Sequence, residues 1–285
     1  MNKTISDYDF EMALKEVIEP DDDVIVIYSA IWSFGYRLGC SSNQIPARLF
    51  DIIDSVIGKN RTVLFPTFTN KFVKTRTFDL ILDDSDCSGA LANHAMHSRD
   101  FRRTRQPIHS YTVRGPRAEE VLSRPCTTAW GDDSVIAWMG DVNARICPLG
   151  LPWHFACSFF HRMEDVLNVP YRYYKRFNGT LFENSREIGS CVEVKFCYSL
   201  KTPPEFDHTA VSPLMDQLGA IKNCSNPLIP LQSSTGSQIY RATRDLLSED
   251  IYAYVANKEQ VSAWVSDGKH QEIASLKPDE IWPLD

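Results

Sequence analysis

A chain of 285 residues with 43% hydrophobic content holds enough apolar surface to bury a full core, so it needs no staples to fold. Its formal net charge of −7 argues against duplex nucleic acid as a partner, because duplex binders present a basic face. The eight cysteines are scattered and form no C-x-x-C pair, which reads as reduced thiols, and with no apolar leader at the N-terminus and no stretch of membrane-spanning length the protein is expected in the cytoplasm.

A first helix is predicted over 8–17, stopped by Pro20 and an acidic turn at Asp21, Asp22 and Asp23. The β-branched run VIVIYSA at 24–30 predicts a strand buried on both faces, and Ser29, Ser33, Phe34 and Gly35 lie where it turns into the next element. A helix over 47–56 and a Gly58-Lys59-Asn60 turn lead to a second buried strand, TVLFPTFT at 62–69. Strand, helix, strand predicts a parallel crossover. Residues 68–88 read as a long polar loop, a candidate wall of a site. The helix expected over 89–97 carries His94 and His97 on one face. Without Cys or acidic partners at ligand spacing they read as a surface pair, and no metal site is expected.

A basic run at 99–105 precedes His109 and Ser110, a short helix over 117–122, and an irregular stretch with Trp130, Asp132 and Asp133. Another apolar strand, ARICPLG, follows at 144–150. The helix predicted over 155–167 carries the most informative pair in the chain: His161 and Glu164 stand three residues apart and share a face. A carboxylate beside an imidazole fixes its tautomer and stabilises the imidazolium formed when the ring takes a proton, so the pair reads as a base and its orienter. Cys157 stands four residues before His161 and offers a rival Cys-His nucleophile, although no third member is evident. Beyond, an antiparallel strand is expected over 190–199, helices over 211–220 and 239–247, and a strand over 251–255. No linker divides the chain. One domain spanning 1–285 is expected, with about 180–285 as a sheet extension or cap.

The segments VIVIYSAIWSFG (24–35), VLFPTFT (63–69), SGAL (88–91), RTRQPIHSYTVRGPRAEEVL (103–122), WGDDS (130–134), ICPLGL (146–151) and FHRMEDVLNVPYRYYK (160–175), in this order, resemble the aminoglycoside 3-N-acetyltransferase, or antibiotic N-acetyltransferase, family. The resemblance covers about the first two thirds of the chain. It implies an α/β fold with a mixed central sheet flanked by helices, and transfer of acetyl from acetyl-CoA directly to an amine, without a metal. It departs from the family pattern at Tyr28-Ser29-Ala30, where His-Ser-Ser is usual. Gln106 replaces a histidine, and Phe159 replaces a residue that commonly bears a hydroxyl. The base survives in a rebuilt pocket, so the acceptor is expected to be an amino sugar, either an aminoglycoside or one from biosynthesis. Within that frame His161 and Glu164 are the catalytic candidates. Ser29, Ser33, Phe34, Gly35, Arg103, His109 and Ser110 are candidates for holding CoA. Asp83, Asp84, Asp132 and Asp133 are candidates for an acceptor's ammonium groups. A Cys-His hydrolase or thioesterase and a non-catalytic CoA- or carbohydrate-binding homologue are the alternatives.

Overall fold

The apolar runs at 24–29, 62–66 and 145–149 have no polar face to offer water, and they become the centre of a sheet covered on both sides. The computed structural model describes residues 4–155 and 158–282, apart from the side chains of Ser33 and Tyr36. Its strands are β1 (Val24–Ser29), β2 (Thr62–Pro66), β3 (Thr77–Asp79), β4 (Arg102–Arg103), β5 (Tyr111–Arg114), β6 (Arg145–Leu149), β7 (Tyr173–Glu183), β8 (Arg186–Cys197), β9 (Lys222–Asn223) and β10 (Gln232–Thr235). Its helices are α1 (Asp7–Val17), α2 (Ile45–Ile57), α3 (Phe72–Thr75), α4 (Gly89–Met96), α5 (Ala118–Leu122), α6 (Val135–Asp141), α7 (Ser158–Val166), α8 (Ser212–Gln217), α9 (Gly236–Glu249), α10 (Lys258–Asp267) and α11 (Lys269–Ala274).

The larger sheet runs β4-β5-β2-β1-β6-β10-β9. β1 pairs in parallel with both β2 and β6, while β5, β4, β10 and β9 add antiparallel pairs outward, giving the expected mixed sheet. Alternation along β1 divides the core: Val24, Val26 and Tyr28 pack with α6, α7 and α9, whereas Ile25 and Ile27 pack with α1, α2 and α4. A second sheet, β3-β7-β8, covers a smaller core of Phe72, Phe78, Ile108, Phe177 and Leu181. Gly179 on β7 is needed there, since a Cβ would come within 2.4 Å of the Arg76 carbonyl.

One expectation needs correction. Residues 251–255 form turns with an isolated bridge from Val255 to Phe206, and no strand. The run IYAYV is apolar because Tyr254 and Val255 are buried in the main core. β7 begins at Tyr173, directly after Arg172, and is an 11-residue strand whose two faces are both partly covered, so it shows no clean alternation.

Because β1, β2 and β6 are parallel, their carboxyl ends meet along one rim of the sheet, the usual place for a ligand crevice in an open α/β sheet.

Candidate active site

At that rim a cavity of about 550 Å³ is lined by Ser29, Ile31, Trp32, Phe68, Ser88 and Phe155, among others, with Ser158 at the start of α7 in its wall. The rim loop after β1 is a 3-10 segment, Ile31–Leu38, broken at Gly35 by φ 46° and ψ −133°, a conformation open to glycine. Apolar walls interrupted by hydroxyls and backbone groups suit a long pantetheine-like chain. Phe34 does not join the wall. It is buried with its ring edge-on to Phe10 at 5.7 Å.

α7 continues from Ser158 to His161 and Glu164. Phe159, Phe160 and Met163 anchor the helix in the core, and Glu164 is wholly buried. The Glu164 carboxylate accepts from His161 Nδ1 at 2.6 Å and from Arg172 Nη2 at 2.7 Å. Arg172 Nη2 also stands 2.9 Å from His161 Nδ1. Two donors converge on one carboxylate oxygen, so Nδ1 carries the ring proton and Nε2 keeps its lone pair. Arg172 is fixed in turn, donating from Nη1 to the Phe196 carbonyl at 2.9 Å, with its guanidinium over the Phe206 ring. Burial pushes His161 below its ordinary pKa of 6.5 and the Arg172 charge pushes the same way, while Glu164 pulls it back up. Burial would raise Glu164, but Arg172 and His161 outweigh it and hold the carboxyl at about 2. The pair at neutral pH is therefore a carboxylate and a neutral imidazole, the state a base requires.

A second His–Glu pair stands close by. His109 Nδ1 bonds to Glu193 of β8, whose other oxygen accepts the backbone N–H groups of Ile108 at 2.6 Å and His109 at 3.2 Å. Burial dominates His109 and lowers its pKa, against the pull of Glu193. The Trp130 ring lies between the two pairs, 4.3 Å from the His109 ring and 5.3 Å from that of His161. On the other side of His161 stands His208, stacked on Phe160 at 4.5 Å, its pKa lowered to about 4 by burial and then by His161.

The remaining candidates are scattered. Ser29 lines the cavity. Ser33 lies on the 3-10 segment beside it, and its side chain is not described. Arg103 is buried, and its guanidinium donates to the Thr67 carbonyl and Thr69 Oγ1, both at 2.6 Å, and to Ser110 Oγ at 3.0 Å. Ser110 itself donates to the Thr67 carbonyl at 2.7 Å, beneath the rim. Asp83 pairs with Lys71 at 2.7 Å and Asp84 with His97 at 2.7 Å. Asp132 pairs with Arg162, and Asp133 accepts from Thr127 N at 2.6 Å and Thr128 Oγ1 at 2.6 Å. The four acids thus form two separate, internally engaged groups. Cys157 lies outside the described residues. Among the described residues no three His, Cys, Asp or Glu side chains converge as a metal site would require.

Residue-by-residue reading of the sequence missed Glu193 and Arg172 as partners of the two imidazoles. Arg172 stood in a quoted motif with no role given. Glu193 lies 84 residues from His109 and carried no local signal.

A family model described as aminoglycoside 3-N-acetyltransferase matches residues 37–211. No curated protein matches the chain in sequence. Among solved structures it is similar to the apoenzyme of aminoglycoside acetyltransferase AAC(3)-IVa, at 14% identity over 92% of this chain and 97% of that one, with a TM-score of 0.71. A mutant of that enzyme in complex with a gentamicin is similar at 14% identity over 93% and 98% of the two chains, with a TM-score of 0.70. AAC-IIIb in a binary complex with CoASH is similar at 14% identity over 87% and 97%, again with a TM-score of 0.70. At this level of identity the likeness establishes the fold.

Proposed function

Since the chain belongs to the aminoglycoside 3-N-acetyltransferase family, a family of acetyl-CoA-dependent acyltransferases, we propose that it transfers acetyl from acetyl-CoA to an amine of an amino sugar, with His161 as general base. One observation carries the reading: Nδ1 of His161 is tied to Glu164, which leaves Nε2 as the proton acceptor, and the same helix contributes Ser158 to the cavity wall three residues earlier.

In this mechanism the thioester enters through the rim cavity, with Ser29, Ile31, Trp32 and Ser88 along its path. The amine nitrogen attacks the thioester carbonyl carbon, forming the C–N bond as His161 Nε2 takes the amine proton. The C–S bond then breaks, and the proton passes from His161 to the departing CoA sulfur. Glu164 orients the ring and stabilises the transient imidazolium, and Arg172 holds Glu164 in its ionised form. His109 supports the wall from beneath through Phe68, which stands 5.2 Å from its ring, and Ser110 does so through the Thr67 carbonyl at 2.7 Å. We take residues 1–285 as one catalytic unit, supported by the C-terminal third supplying β10 to the main sheet and α9 to the packing of α7.

Amino sugars incubated with acetyl-CoA and followed by mass spectrometry should yield an acetylated amine and free CoA. CoA alone should raise the melting temperature, since a ligand at 100 times its Kd stabilises the native state by about 2.7 kcal/mol. CoA release at an equal rate with and without an amine would mean hydrolysis and would overturn the reading.

A further inference from the structure

The rim cavity has a floor and a mouth. Tyr28, Pro66 and Ser158 are buried in its wall, whereas Trp32 and Phe155 line it with 81% and 59% of their surface exposed. Trp32 lies on the 3-10 segment after β1, and Phe155 ends a short 3-10 turn, Trp153–Phe155, after β6. β1 and β6 are parallel neighbours, so the segments that leave them bring the two rings to one opening. The Phe155 ring has the His154 ring beside it, 5.0 Å away.

Large aromatic rings left in water at the edge of a cavity are a contact surface waiting for a ligand. Two rings are too little for a protein partner, since a stable interface buries about 800 Å² on each side. Whatever covers them must also leave the cavity open to the thioester. The outer end of the donor itself meets both conditions: with its thioester at Ser158, one helical turn from His161, CoA leads outward to its diphosphate and adenine.

The wall offers that outer end no cation. Among the described residues no Lys, Arg or His lines the cavity. Arg103 is buried and holds the Thr67 carbonyl and Thr69, and Lys71 pairs with Asp83 at 2.7 Å. The phosphates therefore find no ion-pair partner in this wall, while the flat face of adenine finds two rings on which to stack.

We propose that Trp32 and Phe155 hold the adenine base of CoA by stacking, and that this contact, in place of ion pairs to the phosphates, is how the site tells CoA from bare pantetheine. This rests on the donor path of the transferase reading and assigns its outer end.

The test is calorimetry with CoA, 3′-dephospho-CoA and pantetheine, without any acceptor, on the native protein and on Trp32→Ala, Trp32→Phe and Phe155→Ala. The native protein should bind CoA and 3′-dephospho-CoA alike and pantetheine more weakly. Trp32→Ala should weaken both nucleotides about 5- to 150-fold, the span for losing one base–aromatic stack, and leave pantetheine as it was. Trp32→Phe should restore most of that loss, and Phe155→Ala should act in the same direction as Trp32→Ala. Trp32 is so exposed that its removal should leave the melting temperature of the free protein unchanged. An equal loss on pantetheine would place Trp32 on the pantetheine arm, and a strong preference for CoA over 3′-dephospho-CoA would give the nucleotide to a cation; either result overturns the proposal.

The same variants separate this assignment from the transferase reading. If the nucleotides bind in a Trp32-dependent way and no amine is acetylated, the transferase reading falls and the stacking stands. If amines are acetylated and Trp32→Ala binds CoA as tightly as the native protein, the stacking falls and the transferase reading stands.

Discussion

The two His–Glu pairs on either side of Trp130 use the same residue types and are held in different ways. In the pair on α7 the carboxylate is shared between an imidazole and a guanidinium, so its charge is set by side chains. In the other, Glu193 is held by two backbone N–H groups as well as by His109, so the fold itself fixes it. His161 is partly open, with 19% of its side chain exposed, and stands one helical turn from the cavity wall, whereas the side chain of His109 is 6% exposed. The lesson is that burial and the source of the carboxylate's support, more than the His–Glu contact, distinguish the two imidazoles, leaving His161 the more open and His109 the more enclosed.

The strongest way to break this comparison is to remove each imidazole. His161→Ala should lower kcat about 10²- to 10⁴-fold with CoA affinity nearly unchanged, the usual cost of losing a general base. His109→Ala should instead cost stability, about 1–3 kcal/mol for a buried hydrogen bond lost to Glu193, with kcat within about tenfold. Denaturant melts and single-turnover rates on both variants check this, and the reverse ranking would exchange the two roles.

Next in size is the guanidinium. Arg172→Met leaves Glu164 buried without its cation, which should cost about 3–5 kcal/mol of stability. Arg172 lowers the pKa of His161 and Glu164 raises it. With His161 as the base proposed above, activity would require the unprotonated ring and fall as pH drops through that pKa. Removing Arg172 should therefore move the acidic limb of the pH–rate profile upward. Glu164→Gln, the smallest of these effects, keeps the shape and removes the charge that raises the imidazole, so its acidic limb should move to lower pH. Opposite shifts in the two variants are the expected outcome, and equal or same-sign shifts would detach Glu164 from His161.

How far each pair was legible follows from sequence distance. His161 and Glu164 stand three apart on one helix, so their contact is a local consequence of 3.6 residues per turn. The parallel strands β1, β2 and β6 announced themselves by continuous apolar runs, and α1, α2 and α9 by their periodic faces. Glu193 could not be matched to His109, because strand register, set by β7 and β8 pairing over 11 positions, decides which residue of β8 arrives there. β7 itself was obscured because both its faces are partly covered. The strand expected over 251–255 failed for the converse reason: an apolar run reports burial, and burial in the main core needed no ladder.

Trp130, held between the two imidazoles, gives the centre a built-in optical reporter. A protonated imidazole quenches a neighbouring indole and a neutral one does so far less. The share of the emission that disappears in Trp130→Phe therefore carries the protonation state of both rings, and an acid titration of that share reads the base in the resting protein, before any acceptor is known.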